Sequence, residues 1–193
     1  DTLRVFLRYC SDIDALDADL PPKVKSPDRP QDGGQRDNEI ESDRAIEILG
    51  YLDRYQYASL EHALCHLIWY TMMRVGAARS LDVSDLDLQD GYAVLSHDPA
   101  EGTPLKNNEQ SERTISLRPQ TCQILADYIR ENRPAKTDAY GREPLFTVKG
   151  CKGRPHTNTL RNRVYAVTRP CVYGDYCPHD RDEAECNAAQ RIN

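Results

Sequence analysis

The stretch Tyr70-Thr71-Met72-Met73-Arg74-Val75-Gly76-Ala77-Ala78-Arg79-Ser80-Leu81-Asp82-Val83-Ser84-Asp85-Leu86-Asp87 decides how this chain is read. Before it, Leu60, Leu64, Leu67 and Ile68 recur at helical spacing, so Ser59 to Met73 reads as a core helix with Ser59 as its N-cap. That helix delivers Arg74 into Val75-Gly76-Ala77-Ala78, whose small side chains let another backbone approach closely. An arginine with a packed stem and a free guanidinium can hold a phosphate through two parallel hydrogen bonds. A helix-end arginine that lays its stem on the surface and its head in water has the same local sequence. The Asp85-Leu86-Asp87 ending reads as the opening of a β-hairpin.

Working outward, Ser42 starts a helical pattern with Ala45, Ile48, Leu49 and Leu52 on one face. Tyr92 to Ser96 and Arg113 to Leu117 read as strands, separated by a long hairpin, His97 to Glu112, that contains Pro99, Gly102, Pro104 and Lys106. Pro119 begins a helix with Cys122, Leu125 and Ile129 on one face, stopped at Arg133-Pro134. Leu145 to Val148 is expected to be a short strand, and Thr157 or Asn158 to cap a final helix carrying Leu160, Val164 and Val167. The fold class is therefore mainly α with a small antiparallel β-sheet.

Three segments follow. Residues 1–12 read as the end of a helix (Leu3, Phe6, Leu7, Cys10), which points to a start cut from something longer. Residues 13–41, with Pro21-Pro22, Pro27, Pro30 and Gly33-Gly34, read as a linker, and 42–193 as the main domain. No run of eighteen or more apolar residues is present and no apolar leader opens the sequence, so a cytoplasmic protein without a membrane span is expected.

The chain is acidic overall, with 31 carboxylates against 25 lysines and arginines. Charge position matters more than the sum: residues 142–169 hold Arg142, Lys149, Lys152, Arg154, Arg161, Arg163 and Arg169 against only Glu143. This is a candidate phosphate-facing surface, and an ordinary solvated loop and helix is the other reading. Arginine dominates lysine and aspartate dominates glutamate, a balance that resembles proteins of salt-loving archaea. At high salt the Debye length falls to about 3 Å at 1 M, so distant carboxylates would hardly repel DNA and close arginine contacts would carry recognition.

The Arg74 stretch resembles the first active-site box of the tyrosine recombinases, the phage-integrase family, written T-G-[LM]-R with an S-D-[IL]-D ending. Arg74 falls on the catalytic arginine and Ser84-Asp85-Leu86-Asp87 on the ending. Ala77 stands where the family often has an acidic residue. The resemblance implies a catalytic core acting on double-stranded DNA, self-association on that DNA, and no metal or cofactor in strand cleavage. It gives Arg74 the scissile phosphate and assigns a hairpin lysine to protonate the leaving 5′ oxygen; Lys106, without another lysine between Lys25 and Lys136, fits best. Arg113, Lys149, Lys152, Arg154 and Arg161 are candidate DNA contacts.

The family's second box, His-x-x-Arg, and its tyrosine nucleophile are not found. Pro178-His179-Asp180-Arg181 places the arginine two positions after the histidine, so on a helix the two would face different sides. The missing half is expected either to lie beyond Asn193 or to be absent. Cys171, Cys177, His179 and Cys186 form a C-x5-C-x-H-x6-C cluster within residues 171–186 that would suit a structural Zn²⁺. Disulfides and unrelated surface cysteines are the other readings. Two alternative functions stand beside recombination: a DNA-binding regulator on the same scaffold that does not cut, and a zinc-stabilised protein-interaction module.

Overall fold

The computed structural model describes residues 2–25, 40–174, 177 and 180. Two compact units divide the chain, residues 1–39 and 40–193. In the first, helix α1 (Thr2–Asp12) is followed by a short helix α2 (Leu20–Lys23) that starts on Pro21-Pro22. Proline fits there because its fixed φ and missing N–H cost nothing in a first turn. Arg4 donates from Nε and Nη2 to the Val24 carbonyl at 3.2 and 3.0 Å, tying α1 to the end of α2. The expected 13–41 linker thus contains a helical turn, and its residues 26–39 lie outside the described ones.

The second unit is built around α4 (Leu60–Thr71), flanked by α3 (Ser42–Tyr55), α6 (Pro119–Asp127) and α7 (Thr157–Val167). Ser59 caps α4 by accepting from the His62 N–H at 3.0 Å. The expected faces are the buried ones: Leu64 and Leu67 are fully enclosed, as are Leu52 of α3, Leu125 of α6 and Leu160 of α7. Truncating any of these would cost about 2–5 kcal/mol. Helix α6 runs on into a π-helical turn, Tyr128–Asn132, which presents Tyr128 to Phe146 in the core.

A three-stranded antiparallel sheet in the order β1-β2-β3 lies beside the helices: β1 (Leu86–Asp87), β2 (Tyr92–Leu95) and β3 (Arg113–Ser116). Its register pairs Ala93 with Leu86 and with Ile115, and Leu95 with Arg113. Asp87 opens the first turn by accepting from the N–H groups of Gln89 and Asp90 at 3.1 and 2.8 Å. The loop from β2 to β3 is the long hairpin that carries Lys106.

Two expectations are corrected. Leu145 to Val148 is not a strand: its backbone crosses the core as irregular chain, with a single bridge between Asp82 and Pro144 and one bond from Leu145 N–H to Leu81 at 2.9 Å. The apolar run reflects burial of Leu145, Phe146 and Val148 rather than pairing. Helix α7 is capped one residue early, by His156, whose Nδ1 accepts from Asn158 N–H at 3.2 Å.

Helix α4 ends because Met72 takes the left-handed conformation, φ 53°, while its N–H still reaches the Ile68 carbonyl. That conformation costs a side-chain-bearing residue roughly 1–2 kcal/mol. The Met72 side chain is 74% exposed, so little packing is lost with it. Met72→Gly should therefore raise stability by about 0.5–1 kcal/mol and Met72→Ile should lower it, read from thermal unfolding.

His62 and His66 stand one turn apart on α4 and are buried. His62 accepts from Ala58 N–H through Nδ1 at 3.2 Å, His66 Nδ1 meets the Thr121 hydroxyl at 3.1 Å, and Tyr70 packs on His66 with Arg118 over its far face. Burial lowers both histidines; for His66, His62 and Arg118 add to it, down to about 4 from 6.5. The unfolded chain then binds protons first. The contribution of the histidines to stability should fall as pH drops from 6.5 toward about 4 and change no further below, where carboxylates held low such as Asp138 set the slope. His66→Gln should flatten that slope in urea unfolding, and an unchanged slope would rule out this cause.

Candidate phosphate-binding site

The end of α4 sets the geometry of the site. The left-handed Met72 turns the chain so that Arg74 becomes the N-cap of α5 (Val75–Ser80), with its carbonyl accepting from Ala77 and Ala78 at 2.8 and 3.0 Å. Its side chain is exposed and has no hydrogen bond or ion pair among the described residues. It borders a cavity of ≈ 640 Å³ whose other walls include Lys106 from the hairpin, Arg113 from β3 and Arg161 from α7. Between these cations the lining is neutral, with Gly76, Ala77, Ser111 and Thr157 beside the apolar Val75, Pro104 and Leu105. Among the described residues four cations and no carboxylate line the cavity, in a chain of net charge −6.

Lys106 is exposed and likewise unpaired among the described residues. Arg113 donates to the Ser111 carbonyl at 3.0 Å and Arg161 to the Asn158 amide oxygen at 3.1 Å; these neutral acceptors leave each charge uncompensated. The structure thus gathers four of the expected site residues, Arg74, Lys106, Arg113 and Arg161, around one space.

Others are placed elsewhere. Arg154, expected to face DNA, is 5% exposed and points inward. It contacts Asp82 through Nη2, reaches Asp138 through Nε and Nη2 at 3.2 and 3.0 Å, and donates to the carbonyls of Arg79, Ser80 and Leu81 at 2.8, 3.1 and 3.3 Å. Those carbonyls end α5, so Arg154 caps the negative end of the helix whose other end carries Arg74. Arg142 also turns inward, donating from Nε and Nη2 to Asp82 at 2.6 and 2.5 Å. Arg163 pairs with Glu61 at 3.0 Å. Lys149 and Lys152 are exposed and do not line the cavity. A charge run cannot show which of its members answer buried carboxylates and which face solvent.

Sequence reasoning missed Asp82, Asp138 and Arg79. Asp82 is 3% exposed and joins Arg142 to Arg154. Arg142 also reaches the hairpin, at Thr103 Oγ1 (3.1 Å), Glu101 (3.3 Å) and Asp98 (3.8 Å). Burial pushes the Asp138 carboxyl up, but the N–H groups of Tyr140 and Arg142 and the Arg154 guanidinium outweigh it and hold it below the usual range. Gly153, φ 71°, lets this loop close: a Cβ there would lie 2.7 Å from the Asp138 Cα. Asp85, read as part of the box, accepts from Asp82 N–H at 2.8 Å; burial pushes its carboxyl up. The Ser84-Asp85-Leu86-Asp87 ending is thus a fold element that holds the turn and opens the sheet.

Of the Cys/His cluster, Cys171 and Cys177 are described, without a disulfide at either, while His179 and Cys186 lie outside the described residues. Among the described residues no group of three or more His, Cys, Asp or Glu side chains is arranged to hold a metal.

The helical core with its small three-stranded antiparallel sheet resembles the fold of a recombinase catalytic domain. The crystal structure of XerA recombinase is similar in fold, with a TM-score of 0.55 over 83% of this chain at 19% identity. The chain spans 50% of the length of that protein. The phage integrase family model matches residues 38–171, and the chain belongs to that family. Among curated proteins none matches it in sequence. No helix of the described residues is long and apolar enough to cross a membrane.

Asp82→Asn would leave the buried Arg154 guanidinium and the half-buried Arg142 guanidinium without their shared counter-charge. The expected loss is about 3–5 kcal/mol in urea unfolding, whereas a loss under about 1 kcal/mol would show the pairing to be energetically neutral.

Proposed function

We propose that this chain binds duplex DNA and carries the phosphate-holding half of a tyrosine recombinase active site. What supports the reading is the cavity in which Arg74, Lys106, Arg113 and Arg161 converge, with no carboxylate among the described residues that line it. In this reading Arg74 clamps two non-bridging oxygens of the scissile phosphate and stabilises the charge that grows on them in the transition state. Lys106, on the hairpin, protonates the leaving 5′ oxygen. Arg113 and Arg161 hold flanking phosphates, and self-association on DNA brings two such sites together.

The sequence contains no His-x-x-Arg. Cleavage through a 3′-phosphotyrosine link is accordingly assigned to a polypeptide that adds that box and a tyrosine. A second reading, a DNA-binding regulator that does not cut, is favoured by Ala77, which lines the cavity at the position where the family often has an acid.

Binding to a labelled duplex should weaken as salt rises. Arg74→Ala and Lys106→Ala should each weaken it about tenfold and each lower the salt slope by about one. An unchanged slope in both variants would overturn the phosphate reading. With the His-x-x-Arg box and tyrosine supplied, a nicked suicide duplex should give a covalent adduct that Arg74→Ala abolishes; tight binding without adduct would favour the regulator.

A further inference from the structure

Arg79 lies five residues after Arg74, at the other end of α5, and does not line the cavity. Its guanidinium spans two carbonyls that belong to different segments: Nε donates to Pro155 at 2.8 Å and Nη1 to Gly102 at 2.9 Å. Pro155 immediately precedes the His156 cap and Thr157 of α7, the helix that carries Arg161. Gly102 sits in the hairpin, four residues before Lys106, in a tight turn closed by reciprocal backbone bonds between Asp98 and Thr103 at 3.2 and 2.8 Å. One planar side chain on α5 therefore joins the three segments that place Arg74, Lys106 and Arg161.

The choice of arginine has a cost. Burial lowers the Arg79 pKa and the neighbouring Arg154 adds to that, while Asp138 opposes it. No carboxylate pairs directly with Arg79 among the described residues. The planar guanidinium fork fixes two separate N–H directions on two carbonyls at once, whereas a lysine ammonium, although it has three donors, places them all on one nitrogen with no fixed direction. Retaining a part-buried cation here is accounted for by the bridge.

We propose that Arg79 is a positioning residue for the cationic cavity, acting through the hairpin on Lys106 and through residue 155 on Arg161. The claim rests on the phosphate reading for its functional half, and its structural half stands without DNA. Arg142 supports the same turn from its other side through Thr103 and Glu101, so Arg79 aims the hairpin rather than anchoring the fold.

Arg79→Lys keeps the charge and most of the stem but loses the two separately directed N–H donors of the guanidinium fork. Hydrogen exchange of the 193-residue chain should then quicken about tenfold in residues 98–106 and 155–158, with α4 and α6 unchanged. Unchanged exchange in the hairpin, or a rise throughout α4, would overturn the proposal. On a labelled duplex, Arg79→Lys and Lys106→Ala should each weaken binding about tenfold, and the double variant by clearly less than the hundredfold product, because the lysine has already lost its aim and only the effect through Arg161 is left to add. A hundredfold loss in the double variant, the product of two independent effects, would refute action through Lys106. If the unaltered chain binds no duplex, the phosphate reading fails, and hydrogen exchange alone decides the bridge.

Discussion

One buried carboxylate, Asp82, organises the part of the molecule that matters for function. Its two oxygens are divided between Arg142 and Arg154, and each arginine then reaches a different part of the chain. Arg142 ties in the hairpin at Thr103 and Glu101, and Arg154 closes the end of α5 and captures Asp138. Taking three charges out of water is costly unless every lone pair and N–H finds a partner, and here carbonyls and carboxylates supply those partners. The consequence is geometric. α5, the hairpin and the loop before α7 are locked to one another beneath the cavity, so the exposed side chains above them need no partners of their own.

That division between inward and outward arginines explains how an acidic chain can present a cationic site. Long-range attraction from net charge is absent, since the chain carries −6. Four uncompensated cations around one space create a local field that acts over short distances, and this part of the potential is the least affected by salt. The buried arginines contribute to rigidity. Arg79 stands between the two groups, part-buried and bonded to neutral carbonyls, and links the interior lattice to the cavity rim.

The helices were legible because their causes are local. Ser59 announces the start of α4, apolar residues at helical spacing mark the buried faces of α3, α4, α6 and α7, and Asp87 and Gly91 set the turn between β1 and β2. Leu145 to Val148 was misread because an apolar run signals burial but not hydrogen-bond partners; its backbone crosses the core unpaired with any strand. The site was half legible. Arg74 and Lys106 stand out by local context, whereas Arg154 looked like one more base on a basic surface. Its inward turn depends on Asp82 and Asp138, which lie 72 and 16 residues away in the chain.

By itself the sequence determined the elements, their buried faces and the arginine at the end of the core helix, because each follows from residues within one or two turns. It also determined that the chain has an excess of acid and a local run of bases. Only the tertiary structure decided which cations share a cavity and which answer buried carboxylates. The reason is that a charge's role is fixed by what stands within about 4 Å of it, and for these arginines those neighbours come from distant parts of the chain.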